Sequence, residues 1–264
     1  MDTGTLIALL LAVVVGVSLG LLGGGGSILT VPILTYLAGM PPQEAIAASL
    51  FIVGVTSAVS VFSHARAGRV RWKIGLIFGA AGMAGAFAGG ILGGFIPGVV
   101  LMILFAVMMV ATAIAMIRGR KKAAVGANGS GGEKTLPLAR VLLDGFVVGL
   151  ATGLVGAGGG FLIVPALNLL GGLPIAVAVG TSLLVIAMKS TAGLSGYLFT
   201  VQLDWPLVLS FTGIAIVGSL IGAKLAGRIP EQALRKGFGY FVLVVGVFVL
   251  VKEIPPLITG TPLF

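Results

Sequence analysis

Long apolar stretches separated by short polar segments run along almost the whole chain. A helix that crosses a lipid bilayer needs about 20 consecutive, predominantly apolar residues. Six stretches have the length of a single crossing: residues 43–62, 74–95, 98–117, 174–197, 207–227 and 237–253. The pattern therefore predicts an all-α polytopic membrane protein.

Two further apolar stretches, 5–39 and 141–172, are too long for one ordinary crossing. Glycine clusters at 23–26 and 156–160 interrupt them. Unpaired backbone N–H and C=O groups are costly in hydrocarbon, so such breaks are tolerated only where protein or a water-filled cavity surrounds them. We therefore expect both breaks to point into the protein.

The two interrupted stretches are copies of each other. The segment Leu19–Leu34, LGLLGGGGSILTVPIL, matches the segment Thr152–Leu167, TGLVGAGGGFLIVPAL. Pro32 corresponds to Pro165, and the same offset in residue number, 165 minus 32, pairs several serines and glycines and both tryptophans. The chain is thus a duplicated unit.

The duplication divides the chain into three parts. Residues 1–117 form the first membrane repeat, and residues 141–264 form the second. Between them, residues 118–140 are basic at both ends and rich in glycine in the middle, as in a flexible linker. Short segments rich in Lys and Arg stay on the cytoplasmic side of a membrane, so we expect this linker to be cytoplasmic.

The loop charges indicate that the two repeats have opposite orientations. The loop His64–Lys73 is basic, whereas its equivalent in the second repeat, 197–206, contains Asp204 and no Lys or Arg. Inverted-topology repeats need an odd number of crossings per half. Three transmembrane helices plus one glycine-broken helical hairpin, re-entrant or discontinuous, satisfy this. Counting each broken stretch as a full span gives eight helices in parallel repeats. Equivalent loops would then lie on the same face of the membrane, which disagrees with their different charges.

Composition supports a membrane protein and excludes several other classes. Of 264 residues, 58% are hydrophobic and 9% charged, too few polar residues to cover a water-soluble core. The net charge of +9 resides in short loops and not in a basic domain, so we expect no nucleic-acid binding. With no cysteine and one histidine, we expect no metal site and no cofactor.

The glycine breaks are the first candidate binding site. Glycine can adopt positive φ and lets a ligand approach the backbone. Short helices starting at Ser27–Leu29 and Phe161–Ile163 would direct their unpaired N–H groups towards the middle of the membrane, where two such ends attract an anion. The candidate substrate-binding residues here are Gly24, Gly25, Gly26, Ser27, Gly158, Gly159 and Gly160.

Lys189 is the second candidate, because it is the only ionisable residue deep inside a predicted continuous span. The seven acidic residues all fall near helix ends or in loops, so no carboxylate is expected to pair with it, and a bound anion would be its partner. The alternative is a lysine that extends to the membrane surface. Nearby polar residues that could bind an anion are Ser49, Asn168, Thr181 and Ser182, with Ser57, Ser190 and Thr191 further along the same helices.

Glycines at four-residue spacing, such as Gly85 with Gly89 and Gly218 with Gly222, predict close helix packing and not ligand binding. An enzyme is a weaker alternative. Gly193–Gly196 reads GLSG, as in rhomboid-like intramembrane proteases, in which a histidine activates the serine. The only histidine, His64, borders the basic loop on the opposite face and is expected to be solvated, so we expect no catalytic activity.

Two copies of a Gly-rich stretch running into L-x-V-P, each followed by a proline turn and a serine-containing helix start, resemble the TauE/SafE family of sulfite and organosulfonate exporters. The helix starts are Ala47–Leu50, AASL, and Gly180–Leu183, GTSL. The resemblance covers nearly the whole chain. It implies an inner-membrane permease for a small sulfur-containing anion such as sulfite, sulfoacetate or another organosulfonate. Only the Gly-rich breaks and the serine after each proline turn are carried over as site residues.

Other transport modes stay open. An anion channel, or an ion-coupled carrier of a different small organic anion, would share most of these features. Interrupted helices at matching positions of two repeats favour alternating access over an open pore. The coupling ion, a proton or Na⁺, is undetermined, as are the transported anion, its direction and assembly into a homodimer. Besides the lipid bilayer, the expected partner is a small sulfur anion.

Overall fold

A computed structural model describes residues 3–22, 25–118, 138–156, 158–160, 163–164, 167, 173–225 and 231–259. Every regular element in these ranges is a helix. In chain order the helices are α1 (Thr3–Leu22), a 3₁₀-helix (Gly25–Leu29), α2 (Thr30–Tyr36), α3 (Pro42–Arg66), α4 (Trp72–Phe95), α5 (Gly98–Arg118), α6 (Leu138–Val155), α7 (Ile175–Tyr197), α8 (Trp205–Leu225) and α9 (Glu231–Thr259).

Seven helices within the described ranges are long and apolar enough to cross a membrane: α1, α3, α4, α5, α7, α8 and α9. Each of the six predicted single crossings corresponds to one of them. The seventh is α1, whose 20 residues make up the first half of the interrupted stretch 5–39. The prediction of six full-length helices is therefore one short. Two shorter apolar helices, Gly26–Tyr36 and Leu142–Val155, complete the set.

In the first interrupted stretch, the 3₁₀-helix packs against α1. α1 ends at Leu22, and the 3₁₀-helix that begins at Gly25 continues directly into α2. A Cβ atom on Gly26 would lie 2.6 Å from the Leu19 amide nitrogen and 2.7 Å from the Val15 carbonyl oxygen, so this segment packs on α1 without space for a side chain. Neither Gly25 nor Gly26 has positive φ; Gly23 and Gly24 lie outside the described residues.

The centre of the bundle is formed by α3 and α7. Of the apolar part of each helix, 72% is buried in α3 and 67% in α7, against at most 44% in the other five spans. The two helices are antiparallel, because Gly54 packs on Ser190 while Leu50 packs on Gly193. They also start alike: the equivalent prolines Pro41 and Pro174 precede them with backbone angles φ −53°, ψ 144° and φ −54°, ψ 144°.

Around this centre, α1 packs along α8 of the other repeat. A Cβ atom on Gly16 would collide with the carbonyl oxygen of Ala215, and one on Gly20 would collide with the carbonyl oxygen of Ser219. Both contacts advance by four residues on both helices, so α1 and α8 run in the same direction. Backbone-to-backbone contact at this distance requires glycine.

The helix α6 packs on α4 in the same way. A Cβ atom on Gly149 would collide with the carbonyl oxygen of Gly82, and one on Gly153 would collide with that of Ala86. These four positions are the repeat equivalents of Gly16, Ala215, Gly20 and Ser219, with the two halves exchanged. Each repeat therefore places its first helix against the other repeat through the same set of glycine contacts.

Candidate functional site

The turn that ends α6 consists of glycines in the left-handed region. Gly156, Gly158 and Gly159 have φ angles of 71°, 60° and 70°. Any other L-residue would be strained in this conformation, so the sequence GAGGG is what permits the turn. The turn starts where the Gly156 N–H donates to the Thr152 carbonyl oxygen at 2.9 Å, and a new helical turn follows as the Ile163 N–H donates to the Gly159 carbonyl oxygen at 3.1 Å.

This turn packs between the two central helices, α3 and α7. A Cβ atom on Gly156 would lie 2.9 Å from the Ile46 carbonyl oxygen of α3. One on Gly158 would lie 2.8 Å from Val53 Cγ1 of α3 and 3.3 Å from Ile186 Cγ2 of α7. Without side chains, the turn brings backbone into the middle of the protein, as predicted for non-helical backbone at membrane depth.

Residues from both repeats meet at the turn. The hydroxyl oxygen of Ser27, in the 3₁₀-helix of the first repeat, lies 3.4 Å from the position that a Cβ of Gly158 would take. Ser49, near the start of α3, donates a hydrogen bond to the Gly156 carbonyl oxygen at 2.9 Å. Both serines are fully buried. The structure thus brings Ser27, Ser49, Gly158 and Gly159 together.

Lys189 lies against the same turn. Only 1% of its surface is exposed, and its Nζ atom lies 3.0 Å from where a Cβ on Gly159 would be. Its ammonium donates to Thr152 Oγ1 at 3.2 Å, which uses one of three N–H donors, and no described carboxylate pairs with it. Gly82 of α4 leaves space for the lysine stem. The predicted alternative of a lysine extending to the membrane surface does not fit this burial.

The remaining predicted residues lie elsewhere or cannot be placed. Thr181 accepts a hydrogen bond from the Arg71 amide at 3.0 Å, at the basic end of the bundle. Ser182 donates to the Val179 carbonyl oxygen of its own helix at 2.8 Å. Gly160 is buried directly after the turn. Gly24 and Asn168 lie outside the described residues.

Two further buried hydroxyls belong to the central helices α3 and α7. The Oγ atoms of Ser57 and Ser190 are buried and have no hydrogen-bond partner within the described residues. The two positions are equivalent in the repeats, and Ser190 Cβ lies 3.2 Å from where a Cβ on Gly54 would be. Unpaired buried hydroxyls are costly, so these two are available to a polar ligand between the central helices.

Two residues of the site were not singled out from the sequence. Gly156 belongs to the recognised cluster, but its role as the acceptor for Ser49 depends on the fold. Thr152 was not noticed when the two repeats were compared, because the equivalent residue in the first repeat is the apolar Leu19. A search for polar residues one turn before the glycine break would have found Thr152.

Two expectations about titratable residues are wrong. Glu253 of α9 was grouped with residues near ends and loops, yet it is fully buried and accepts a hydrogen bond from the Tyr36 hydroxyl at 2.6 Å. His64 was expected to be solvated, yet only 4% of it is exposed. Both residues lie near the end of a helix, where neighbouring helices cover them. Considering each span separately in the sequence does not reveal such tertiary contacts.

The geometry does not assemble a serine protease pair. Ser195 donates to the Ala192 carbonyl oxygen of its own helix at 2.7 Å. His64 packs beside Gly180, where a Cβ would lie 3.1 Å from His64 Cβ. Ser195 follows Gly180 by 15 residues in α7, about 22 Å along the helix axis at roughly 1.5 Å per residue. The hydroxyl and the imidazole are therefore far apart.

A bundle of apolar helices with a buried lysine and a helix-breaking turn at its centre is the architecture of a multi-pass membrane transporter. The family model described as sulfite exporter TauE/SafE matches residues 8–249. The chain belongs to the TauE/SafE family.

Relatives extend across bacteria, archaea and plants. A probable membrane transporter protein of Xylella fastidiosa (strain 9a5c) is 34% identical over 243 residues, covering 89% of this chain and 91% of the relative. A probable membrane transporter protein of Methanocaldococcus jannaschii is 29% identical over 264 residues, covering 93% and 96%. The sulfite exporter TauE/SafE family protein 3 of Arabidopsis thaliana is 26% identical over 137 residues, covering 52% and 29%. No solved structure matches the chain.

Proposed function

We propose that the protein is a secondary transporter that moves a small sulfur-containing anion, such as sulfite, sulfoacetate or another organosulfonate, across the inner membrane by alternating access. The observation that carries the proposal is the buried ammonium of Lys189, which has no carboxylate partner in the described ranges and lies against the Gly158–Gly159 turn. An isolated charge in a membrane interior is costly, and an anionic solute would offset that cost.

The chemistry around Lys189 suits an oxyanion with several oxygens. Sulfite and sulfonates carry three oxygens that accept hydrogen bonds, and charge-assisted bonds to an ammonium are stronger than neutral ones. Thr152 already bonds the ammonium, while the hydroxyls of Ser57 and Ser190 are buried and have no partner among the described residues. The description of the matching family as a sulfite exporter supports sulfur as the central atom.

Alternating access rests on an inverted repeat. In parallel repeats, equivalent helices run in the same direction, whereas in inverted repeats they run in opposite directions. Here α3 is antiparallel to its equivalent α7, and α5 is antiparallel to its equivalent α9, since Gly239 packs on Ile117 and Gly246 packs on Met109. With glycine-broken segments of both repeats meeting where Ser27 approaches Gly158, this arrangement supports a site that opens to one face at a time.

The test is uptake of labelled sulfite, sulfoacetate and sulfate into proteoliposomes. We expect a sulfur oxyanion to be transported, and we expect Lys189→Met to reduce its transport at least about 100-fold, since losing a buried charged hydrogen bond costs about 3 kcal/mol or more. The matched control is Lys224→Met, because Lys224 is exposed near the end of α8. Equal activity of both variants would remove Lys189 from the site.

The same vesicles distinguish a carrier from a channel. A carrier that alternates between two faces exchanges labelled for unlabelled substrate, so unlabelled anion loaded inside accelerates uptake from outside. An open pore shows no such acceleration. We expect acceleration in the wild-type protein, and its absence with intact flux would replace the transporter by an anion channel.

A further inference from the structure

A second buried polar cluster lies outside the proposed anion site, where α2 meets α9. Glu253 is fully buried. Its Oε1 atom accepts the Tyr36 hydroxyl at 2.6 Å, while its Oε2 atom is buried and has no hydrogen-bond partner among the described residues. An ionised carboxylate with one oxygen left unpaired is costly to bury. A positively charged partner on Oε2 would offset that cost.

The surroundings of Glu253 favour a proton over a metal cation. Na⁺ requires several oxygen ligands, but two carbonyl groups near the end of α2 already accept hydrogen bonds: the Ile33 oxygen from the Leu37 and Ala38 amides, and the Leu34 oxygen from the Met40 amide. Tyr36 Oη is the oxygen already bonded to the carboxylate. A proton needs only Oε2 itself.

Few other charged groups in the described ranges face this carboxylate. Lys252 of the same helix is exposed, and its Nζ lies 5.4 Å from the centre of the Tyr36 ring. The ring is also held by an edge contact with Phe248, at 5.7 Å between ring centres. α5, which packs antiparallel on α9, contributes only Arg118, at the opposite end beside the Gly239–Ile117 contact. Tyr36 therefore contacts Glu253 directly, and Lys252 lies over the Tyr36 ring.

The cluster is connected to the anion site through one short rigid segment. Tyr36 is the last residue of α2, and α2 continues without a break from the 3₁₀-helix that carries Ser27 to the Gly158 turn. Ser27 and Tyr36 are about 15 Å apart along this segment, by the rises of 3₁₀- and α-helices. Because Tyr36 covers Glu253, a movement of α2 that opened Glu253 to water would also displace Ser27.

We propose that Glu253 binds the coupling proton of transport, with Tyr36 as its positioning residue; this rests on the anion transport proposed above. A proton from water adds to Oε2 at one face of the membrane and returns to water at the other face. Protonation removes the buried negative charge and leaves Tyr36 bonded to a neutral acid, which changes the strength of the contact between α2 and α9.

The transport test uses labelled sulfoacetate in proteoliposomes, because both of its acid groups stay ionised near neutral pH. A pH gradient of one unit should drive up to about tenfold accumulation in the wild-type protein for one proton per anion. Glu253→Gln, which keeps the shape of the neutral acid, should reduce this to no accumulation while exchange of labelled for unlabelled anion persists. Glu44→Gln, at the start of α3, is the matched control and should behave as wild type.

Tyr36→Phe tests the positioning role and remains informative if Glu253→Gln does not fold. It removes the hydroxyl that bonds Oε1, so we expect looser coupling: steady-state accumulation should fall below the wild-type value while exchange of labelled for unlabelled anion persists. A merely structural role would slow accumulation and exchange alike without lowering the steady-state accumulation. Gradient-driven accumulation in Glu253→Gln, or wild-type accumulation in Tyr36→Phe, would overturn the proposal.

An infrared pH titration of the purified protein in lipid needs no substrate. The carboxylic acid C=O absorption that appears on acidification should include a component from a buried acid, which we expect in the wild type and in Glu44→Gln and expect to be missing in Glu253→Gln. An identical band in Glu253→Gln would overturn the proton site. If the band behaves as expected but no sulfur oxyanion is transported, the substrate assignment fails while the proton site stands.

Discussion

At the scale of single residues, glycines perform two different tasks in this protein. Gly156, Gly158 and Gly159 supply backbone angles that other residues adopt only with strain. Glycines such as Gly16 and Gly149 have ordinary helical angles and supply space, since the neighbouring backbone occupies the position of a side chain. The two tasks predict different responses to the smallest substitution, alanine.

Gly159→Ala tests the first task. Its φ of 70° costs an L-residue about 1–2 kcal/mol, and the added Cβ would collide with Thr152 Cγ2 and lie 3.0 Å from Lys189 Nζ. We expect lower thermal stability in detergent and loss of transport of the sulfur oxyanion proposed above. The matched control is Gly213→Ala, in the exposed face of α8 with nothing within 4 Å of its Cβ position. If Gly159→Ala transports normally, the turn does not shape the anion site.

The sequence predicted the residues whose role follows from their own chemistry. Lys189 stood out because a charge in an apolar span needs a partner, and the glycine clusters stood out because they break a helix. Glu253 and Thr152 were missed because their roles come from contacts with α2 and α7, which are distant in sequence. A carboxylate near a helix end is usually solvated, and only the packing of Tyr36 over it reverses that expectation.

At the scale of helices, apolar length and glycine spacing carried most of the information. The six predicted crossings match helices to within a few residues, except at the ends of α9, because hydrophobic length is set by the membrane and not by tertiary contacts. The predicted close packing at Gly85, Gly89, Gly218 and Gly222 is confirmed by their backbone contacts. The helix that each of these glycines contacts was not predictable, because glycines at four-residue spacing allow close packing against any apolar helix.

Gly149→Ala and Gly16→Ala test the interlocking of the repeats. Each Cβ would collide with a backbone carbonyl, of Gly82 or of Ala215, which cannot rotate away as a side chain could. We expect each variant to lose about 1–3 kcal/mol of stability, as for other overpacked sites, and the two losses to be similar because the contacts repeat. Thermal unfolding in detergent measures both losses. Gly237→Ala, with open space around it, should unfold like the wild type.

At the scale of the whole molecule, the two repeats form one unit. The first helix of each repeat packs on the other repeat, and α3 and α7 share the centre. Residues 67–71 and 198–204 are equivalent connections, and the chain directions place them at opposite ends of the bundle in the inverted arrangement. The first is basic, whereas the second carries Asp204. The difference in charge between these two connections is what the proposed inverted arrangement predicts.

Single cysteines at Ala67 and Gln202 test that orientation. Both residues are exposed in these connections, and the chain contains no cysteine, so each label reports one position. In intact cells, a membrane-impermeant maleimide should label Gln202→Cys, whereas Ala67→Cys should react only after permeabilisation, because basic connections are expected on the cytoplasmic side. A permeant maleimide should label both variants, and the parent chain should remain unlabelled. Labelling of both positions from the same side would instead establish parallel repeats and remove the structural basis for alternating access.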